Sequence, residues 1–120
     1  MVREPIEKSM PPEQVVQNQL DAYNAKDLEA YMACFSNDIV AVDFTTGEKT
    51  LEGTAAFRAK YKEIFENSPQ LFCKLINRIT LHNKVFDREE VYGRLNADIL
   101  ELVAIYEVEN GLITKVTFVK

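Results

Sequence analysis

From Leu71 onward the spacing of apolar residues in this chain changes from mainly helical to a sustained period of two, and that change limits the folds open to it. Upstream, apolar residues recur at helical spacing; downstream they alternate, as they do on a strand with one buried face. The runs 71–81, 85–95, 97–109 and 112–119 read as four long antiparallel strands, with turns including His82-Asn83-Lys84 and Asn110-Gly111. Before them, Pro11 and Pro12 open a helix, since proline is tolerated in a first turn whose N–H groups have no partner. Its apolar face is Val15, Val16, Leu20 and Tyr23, with Gln19 on it. Asp27 can cap a second helix with the stripe Leu28, Tyr31, Met32 and Phe35. A β-branched strand, 38–44, leads through Thr45-Thr46-Gly47-Glu48-Lys49 to a short strand at Thr50 and Leu51. Gly53 and Thr54 open a third helix with the face Phe57, Tyr61, Ile64 and Phe65, stopped by Asn67-Ser68-Pro69. The order predicts an α+β fold: three helices against one mostly antiparallel sheet.

With 120 residues, 47% apolar and 28% charged, the chain fits a single domain over 11–120, preceded by a loosely held, flexible N-terminal arm over 1–10. A net charge of −5, with Lys and Arg scattered among acids, argues against a nucleic-acid partner. No apolar run approaches a membrane span and the first residues lack a signal-peptide core, so the expected location is cytoplasmic, with no membrane partner. Cys34 and Cys73 lie far apart in apolar segments and read as free thiols. His82 is the only histidine and no Cys-x-x-Cys is present, so neither a metal nor a cofactor is expected.

Asp43, at the apolar end of its strand, is the first residue to question, because a carboxylate drawn inward must be hydrogen-bonded or accept a raised pKa. It reads either as a general base or as a cap on the hairpin turn that follows. Gln19 either satisfies a buried backbone group or serves a pocket. Tyr23, Tyr61 and Tyr106 suit a core or a pocket. Asn77 interrupts the face Leu71, Cys73, Leu75, Ile79 and Leu81 and is a candidate to project inward. Asp87, Arg88, Glu89 and Glu90 read as solvated strand or rim charges. In 97–109, Leu100, Leu102, Ala104, Tyr106 and Val108 form a core face. The opposite face, with Ile99, Val103 and Ile105 among Glu101, Glu107 and Glu109, is too apolar for open water and predicts a homodimer through the outer sheet face.

Several segments together carry a resemblance: Val15-Val16-Gln17, Asn24-Ala25-Lys26-Asp27-Leu28, Phe35, Asp38, Val42-Asp43, Gly53-Thr54-Ala55-Ala56-Phe57-Arg58, Tyr61 and Glu107-Val108-Glu109-Asn110-Gly111-Leu112-Ile113. The chain resembles the nuclear transport factor two-like superfamily, which includes ketosteroid isomerases and SnoaL-like polyketide cyclases. The resemblance implies a cone: a curved sheet wrapped by three helices around a pocket. It places Asp43 at the isomerases' catalytic base and Tyr61 at a tyrosine of their hydrogen-bond network. Their oxyanion-hole tyrosine matches Gln19 and their protonated aspartic acid roughly Ala104, so true ketosteroid isomerisation is not expected. Arg88-Glu89-Glu90 resembles the Arg-x-Asp of limonene epoxide hydrolases only with a one-residue slip, and Phe118 stands at that site's remaining acid.

The expected function is a domain that binds a small apolar or carbonyl-containing molecule. In one form it is a cofactor-free acid–base enzyme of isomerase or cyclase type, with Asp43 as base and Tyr61 and Gln19 orienting the substrate. In the other it is a catalytically silent ligand-binding or dimerisation module of the same fold. The expected pocket is lined by Val15, Leu20, Tyr23, Phe57, Phe65, Asn77, Leu102, Ala104 and Tyr106.

Overall fold

The computed structural model of the protein describes residues 10–120. The arm expected over 1–10 therefore lies, apart from Met10, outside the described residues. Helix α1 spans Pro12–Ala25, with Pro12 in its first turn and Pro11 as its N-cap. It ends at Lys26, whose left-handed backbone (φ 54) reverses the chain while its N–H bonds Tyr23 O. Asp27 then caps α2, Leu28–Met32, by accepting from Ala30 N at 3.1 Å, as its position before an apolar stripe predicts. Strand β1 (Phe35–Asp43) turns into β2 (Lys49–Glu52), and α3 covers Thr54–Asn67.

The remaining strands are β3 (Phe72–Leu81), β4 (Lys84–Tyr92), β5 (Leu100–Glu109) and β6 (Leu112–Val119). They join β1 and β2 in one curved, unclosed six-stranded sheet of order β2-β1-β6-β5-β4-β3. Every pairing is antiparallel except β1 with β6. The β5–β6 hairpin turns at Asn110 and Gly111, both at positive φ, the pair that a tight hairpin favours. The core lies between the helices and the sheet's inner face, where Val16, Ile39, Phe57, Val85, Ile113 and Val116 are fully buried.

Two expectations about faces fail. In β3, Leu75 pairs with Glu89 but Asn77 pairs with Arg88, so a β-bulge at Ile76 inserts one residue and reverses the alternation beyond it. Cys73 lies inward before the bulge and Arg78 after it, whereas Asn77, Ile79 and Leu81 are exposed. Asn77 thus points away from the interior. In β4, Val85, Asp87, Glu89 and Val91 are buried, so Asp87 and Glu89 are not solvated charges; Arg88 is exposed and Glu90 half-buried. Alternation in an inward-facing strand puts both acids on the side of the valines.

Candidate functional site

Helices α1 and α3 stand over the concave side of the sheet and leave a cavity of ≈ 290 Å³. Its buried end is formed by Gln19, Tyr31, Cys73, Glu89, Tyr106 and Val116. Its open end is formed by Thr50, Leu51, Lys60, Arg94, Phe118 and Lys120, all half-buried or exposed. The volume lies near the small end of the range for ligand sites, about 300–1,000 Å³.

The aromatic wall has a helical origin. Tyr61 sits one turn beyond Phe57 on α3, whose ring it meets, and one before Phe65, and the Tyr61 and Phe65 rings meet Tyr23 of α1 and Tyr31 of α2. The Tyr31 and Tyr61 centroids are 4.8 Å apart, those of Tyr23 and Phe65 5.6 Å in an edge-on contact. Burial raises the pKa of the Tyr23, Tyr31, Tyr61 and Tyr106 hydroxyls, so they remain protonated donors at neutral pH; the nearby Arg94 charge pulls Tyr23 and Tyr61 the other way.

The β4 face supplies two carboxyls with different fates. Asp87 is fully buried but satisfied: Arg78 Nε donates to its Oδ1 at 2.7 Å and Arg78 Nη2 to its Oδ2 at 2.8 Å. Arg78 Nη1 also donates to Gln17 Oε1 at 2.9 Å, tying α1 to the sheet. Glu89, 5% exposed, reaches the cavity and forms no salt bridge among the described residues. Burial, then the neighbouring Asp87 charge, push its pKa up to about 7, against weaker opposing effects of Cys73 and Arg78. Cys73 is held in the wall by Asn24, whose Nδ2 donates to Cys73 O and whose Oδ1 accepts from Cys73 N at 2.8 Å. Burial drives that thiol's pKa upward, so it is no thiolate nucleophile at neutral pH.

Gln19 is 5% exposed, and its Oε1 is the one buried side-chain polar atom without a hydrogen-bond partner among the described residues. Such an orphan costs about 1–3 kcal/mol, which a structural role does not explain. Among the described residues no group of three or more His, Cys, Asp or Glu side chains is arranged to hold a metal ion.

Of the residues singled out from sequence, Gln19, Leu20, Tyr23, Tyr61, Leu102 and Tyr106 line this cavity. Asp43 does not. It pairs beside Phe118 at the last position of β1, but its Oδ2 accepts from Thr46 Oγ1 at 2.9 Å and its backbone O from Gly47 N, which makes it the clasp of the hairpin. Val15, Phe57, Phe65 and Ala104 are core residues outside the cavity lining; Phe57 packs between Phe35 and Tyr61, at 5.4 and 5.9 Å. Sequence reasoning missed Glu89, although its alternation with Val85 and Val91 was visible. It also missed Arg94, which no local pattern marks.

Arg94 is placed by its loop. Gly93 has φ +79, and a Cβ there would stand 2.2 Å from Gln70 O, so only glycine lets the loop pass this close to the end of α3. Buried Ser68 Oγ then accepts from Leu95 N at 3.2 Å. These contacts hold Arg94 beside Lys60 at the cavity mouth.

Residues 16–116 match the family model described as a SnoaL-like domain. No curated protein matches the chain. Among solved structures, an uncharacterised cystatin-fold protein from Novosphingobium aromaticivorans superposes with a TM-score of 0.84 at 21% identity, covering 93% of this chain and 100% of that one. A protein provisionally called a polyketide cyclase, from Sinorhizobium meliloti, gives 0.74 at 19% identity, covering 88% and 93%. One provisionally called a ketosteroid isomerase, from Kribbella flavida, gives 0.76 at 18%, covering 90% and 76%. At these identities the structures speak for the fold alone, the nuclear transport factor two-like, cystatin-like cone.

Proposed function

The chain belongs to the SnoaL-like domain family, and from that membership and the chemistry of its cavity we propose that it is a cofactor-free acid–base enzyme of isomerase or cyclase type acting on a small, largely apolar molecule. Glu89, and not Asp43, is the proton-transfer group. The observation that carries this reading is a carboxyl in an apolar cavity wall, without a salt bridge among the described residues and brought to a pKa of about 7, where an acid or base is most effective near neutral pH. Ionised Glu89 removes a proton next to a substrate carbonyl. Protonated tyrosine hydroxyls and Gln19 Nε2 donate to the oxygen on which charge develops. Free Cys34 and Cys73 support a reducing, cytoplasmic setting.

Deuterium uptake next to the carbonyl of a probe ketone such as β-tetralone, followed by NMR in heavy water, tests the proposal. The rate is expected to rise with pH to a plateau above about 7, and Glu89→Gln to lower it at least about hundredfold. Exchange that persists unchanged in Glu89→Gln would leave the silent binding module as the reading.

We further propose that the chain pairs with a second copy through the outer face of the sheet. Cross-strand rows there run Ile79, Phe86, Ile105, Thr117 and Asn77, Arg88, Val103, Val119, giving an apolar centre. The Arg88–Glu101 and Lys115–Glu107 pairs beside it offer both signs of charge, as a self-complementary two-fold contact requires.

A further inference from the structure

We infer that the cavity's ligand is an amphipathic anion: a ring-sized apolar body with a hydrogen-bond donor at its inner end, facing Gln19, and a carboxylate at the mouth between Lys60 and Arg94. The inference rests on the reading of this cavity as a binding site, and not on proton transfer by Glu89.

Charge supplies the first argument. The chain has 19 acidic and 14 basic residues, yet the cavity lining reverses the balance, with Lys60, Arg94 and Lys120 against the single acid Glu89. None of the three cations has a carboxylate within 4.0 Å among the described residues. Glu63 lines the surface depression next to Lys60 and Arg94 but bridges to neither. Unpaired cations gathered at a low-dielectric opening attract and hold an anion. The Gly93 approach and the Ser68 bond to Leu95 hold the Arg94 backbone at the mouth, from which its guanidinium can meet a carboxylate in two hydrogen bonds.

The orphaned amide supplies the second. Gln19 lines the cavity with Oε1 unpartnered, and none of the tyrosine hydroxyls that share the lining donates to it. What this end of the cavity lacks is a donor to an amide oxygen, which a ligand hydroxyl or N–H provides. Between the two ends the wall is Leu20, Tyr23, Tyr61 and Leu102, which suits an aromatic or alicyclic body.

Binding of three probes by calorimetry separates the two arguments: para-hydroxyphenylacetate, phenylacetate, which lacks the inner hydroxyl, and para-hydroxyphenylacetamide, which lacks the charge. The hydroxy acid is expected to bind at least about tenfold tighter than either analogue. Arg94→Gln combined with Lys60→Gln is expected to erase its advantage over the amide and leave its advantage over phenylacetate. Gln19→Leu, close in size, is expected to do the converse and to raise the Tm, since it removes an unpaired buried amide. Equal affinity for acid and amide, no effect of Gln19→Leu on the hydroxyl preference, or no binding of any probe at millimolar concentration would each overturn the inference. These readouts are equilibrium affinities, so they stand or fall separately from the deuterium exchange assigned to Glu89.

Discussion

Burial in the cavity wall, and after it the charge of Asp87 two residues away on the same face, hold the Glu89 proton into the neutral range, while Asp87 itself is bonded twice by Arg78. Glu89 also sets a pH dependence for stability. Its folded pKa of about 7 lies above the ordinary glutamate value of 4.5, so between those values the folded state binds more protons than the unfolded one. Stability therefore falls as pH rises from about 4.5 to about 7, and is level above that. At about 1.36 kcal/mol per pH unit, the fall approaches about 3 kcal/mol. Glu89→Gln is expected to abolish it, unfolding at a higher urea concentration than the parent at pH 8 but not at pH 4.5. Parallel urea curves at both pH values would contradict this.

At the scale of elements, β4 and the loop behind it do most to build the site. One strand presents Asp87 to Arg78 and Glu89 to the cavity; seven residues of loop then carry the chain from Tyr92 to Leu100 over the end of α3. Gly93 is the narrow point of that path. Gly93→Ala places a methyl against Gln70 O and strains a left-handed backbone position, so a loss of at least about 1–3 kcal/mol in chemical denaturation is expected. Because Arg94 is the next residue, the same change should weaken binding of para-hydroxyphenylacetate more than of its amide. The surface pair of Arg58 with Glu29, bidentate at 2.7 and 2.9 Å, links α3 to α2 but is too exposed to matter as much.

The whole molecule offers two faces of one sheet, a concave one closed by helices and an outer one without cover in the single chain. The outer face carries Ile79 at 61% exposure, next to half-buried Phe86 and Ile105. The proposed second copy would cover this patch and leave the cavity mouth, on the other side, open. Sedimentation at micromolar concentration is expected to give twice the mass of one chain, and Ile79→Glu with Ile105→Glu to give one. A monomeric parent would remove the pairing, and the cavity chemistry would be unaffected.

The order of helices and strands, the capping Asp27, the Asn110-Gly111 turn and the apolar faces of α1, α3 and β5 were legible in the sequence, because each depends on residues within one turn or one hairpin. So were Gln19 and Tyr61 as cavity residues, since a polar group interrupting an apolar helical stripe must face whatever that stripe faces. The bulge at Ile76 was not legible: no local signal marks it, and it exists only because β3 must pair with β4 in one register before it and another after. It turns Asn77 out and Arg78 in, and with Arg78 comes the partner that makes buried Asp87 tolerable. Whether a carboxyl on β4 meets a cation or an empty wall is decided by the strand and helices packed against it. Asp43 became a clasp through Thr46, three residues on, the local cap that the sequence offered, whereas only the tertiary structure made Glu89 the acid of the cavity, with no salt bridge to a cation among the described residues.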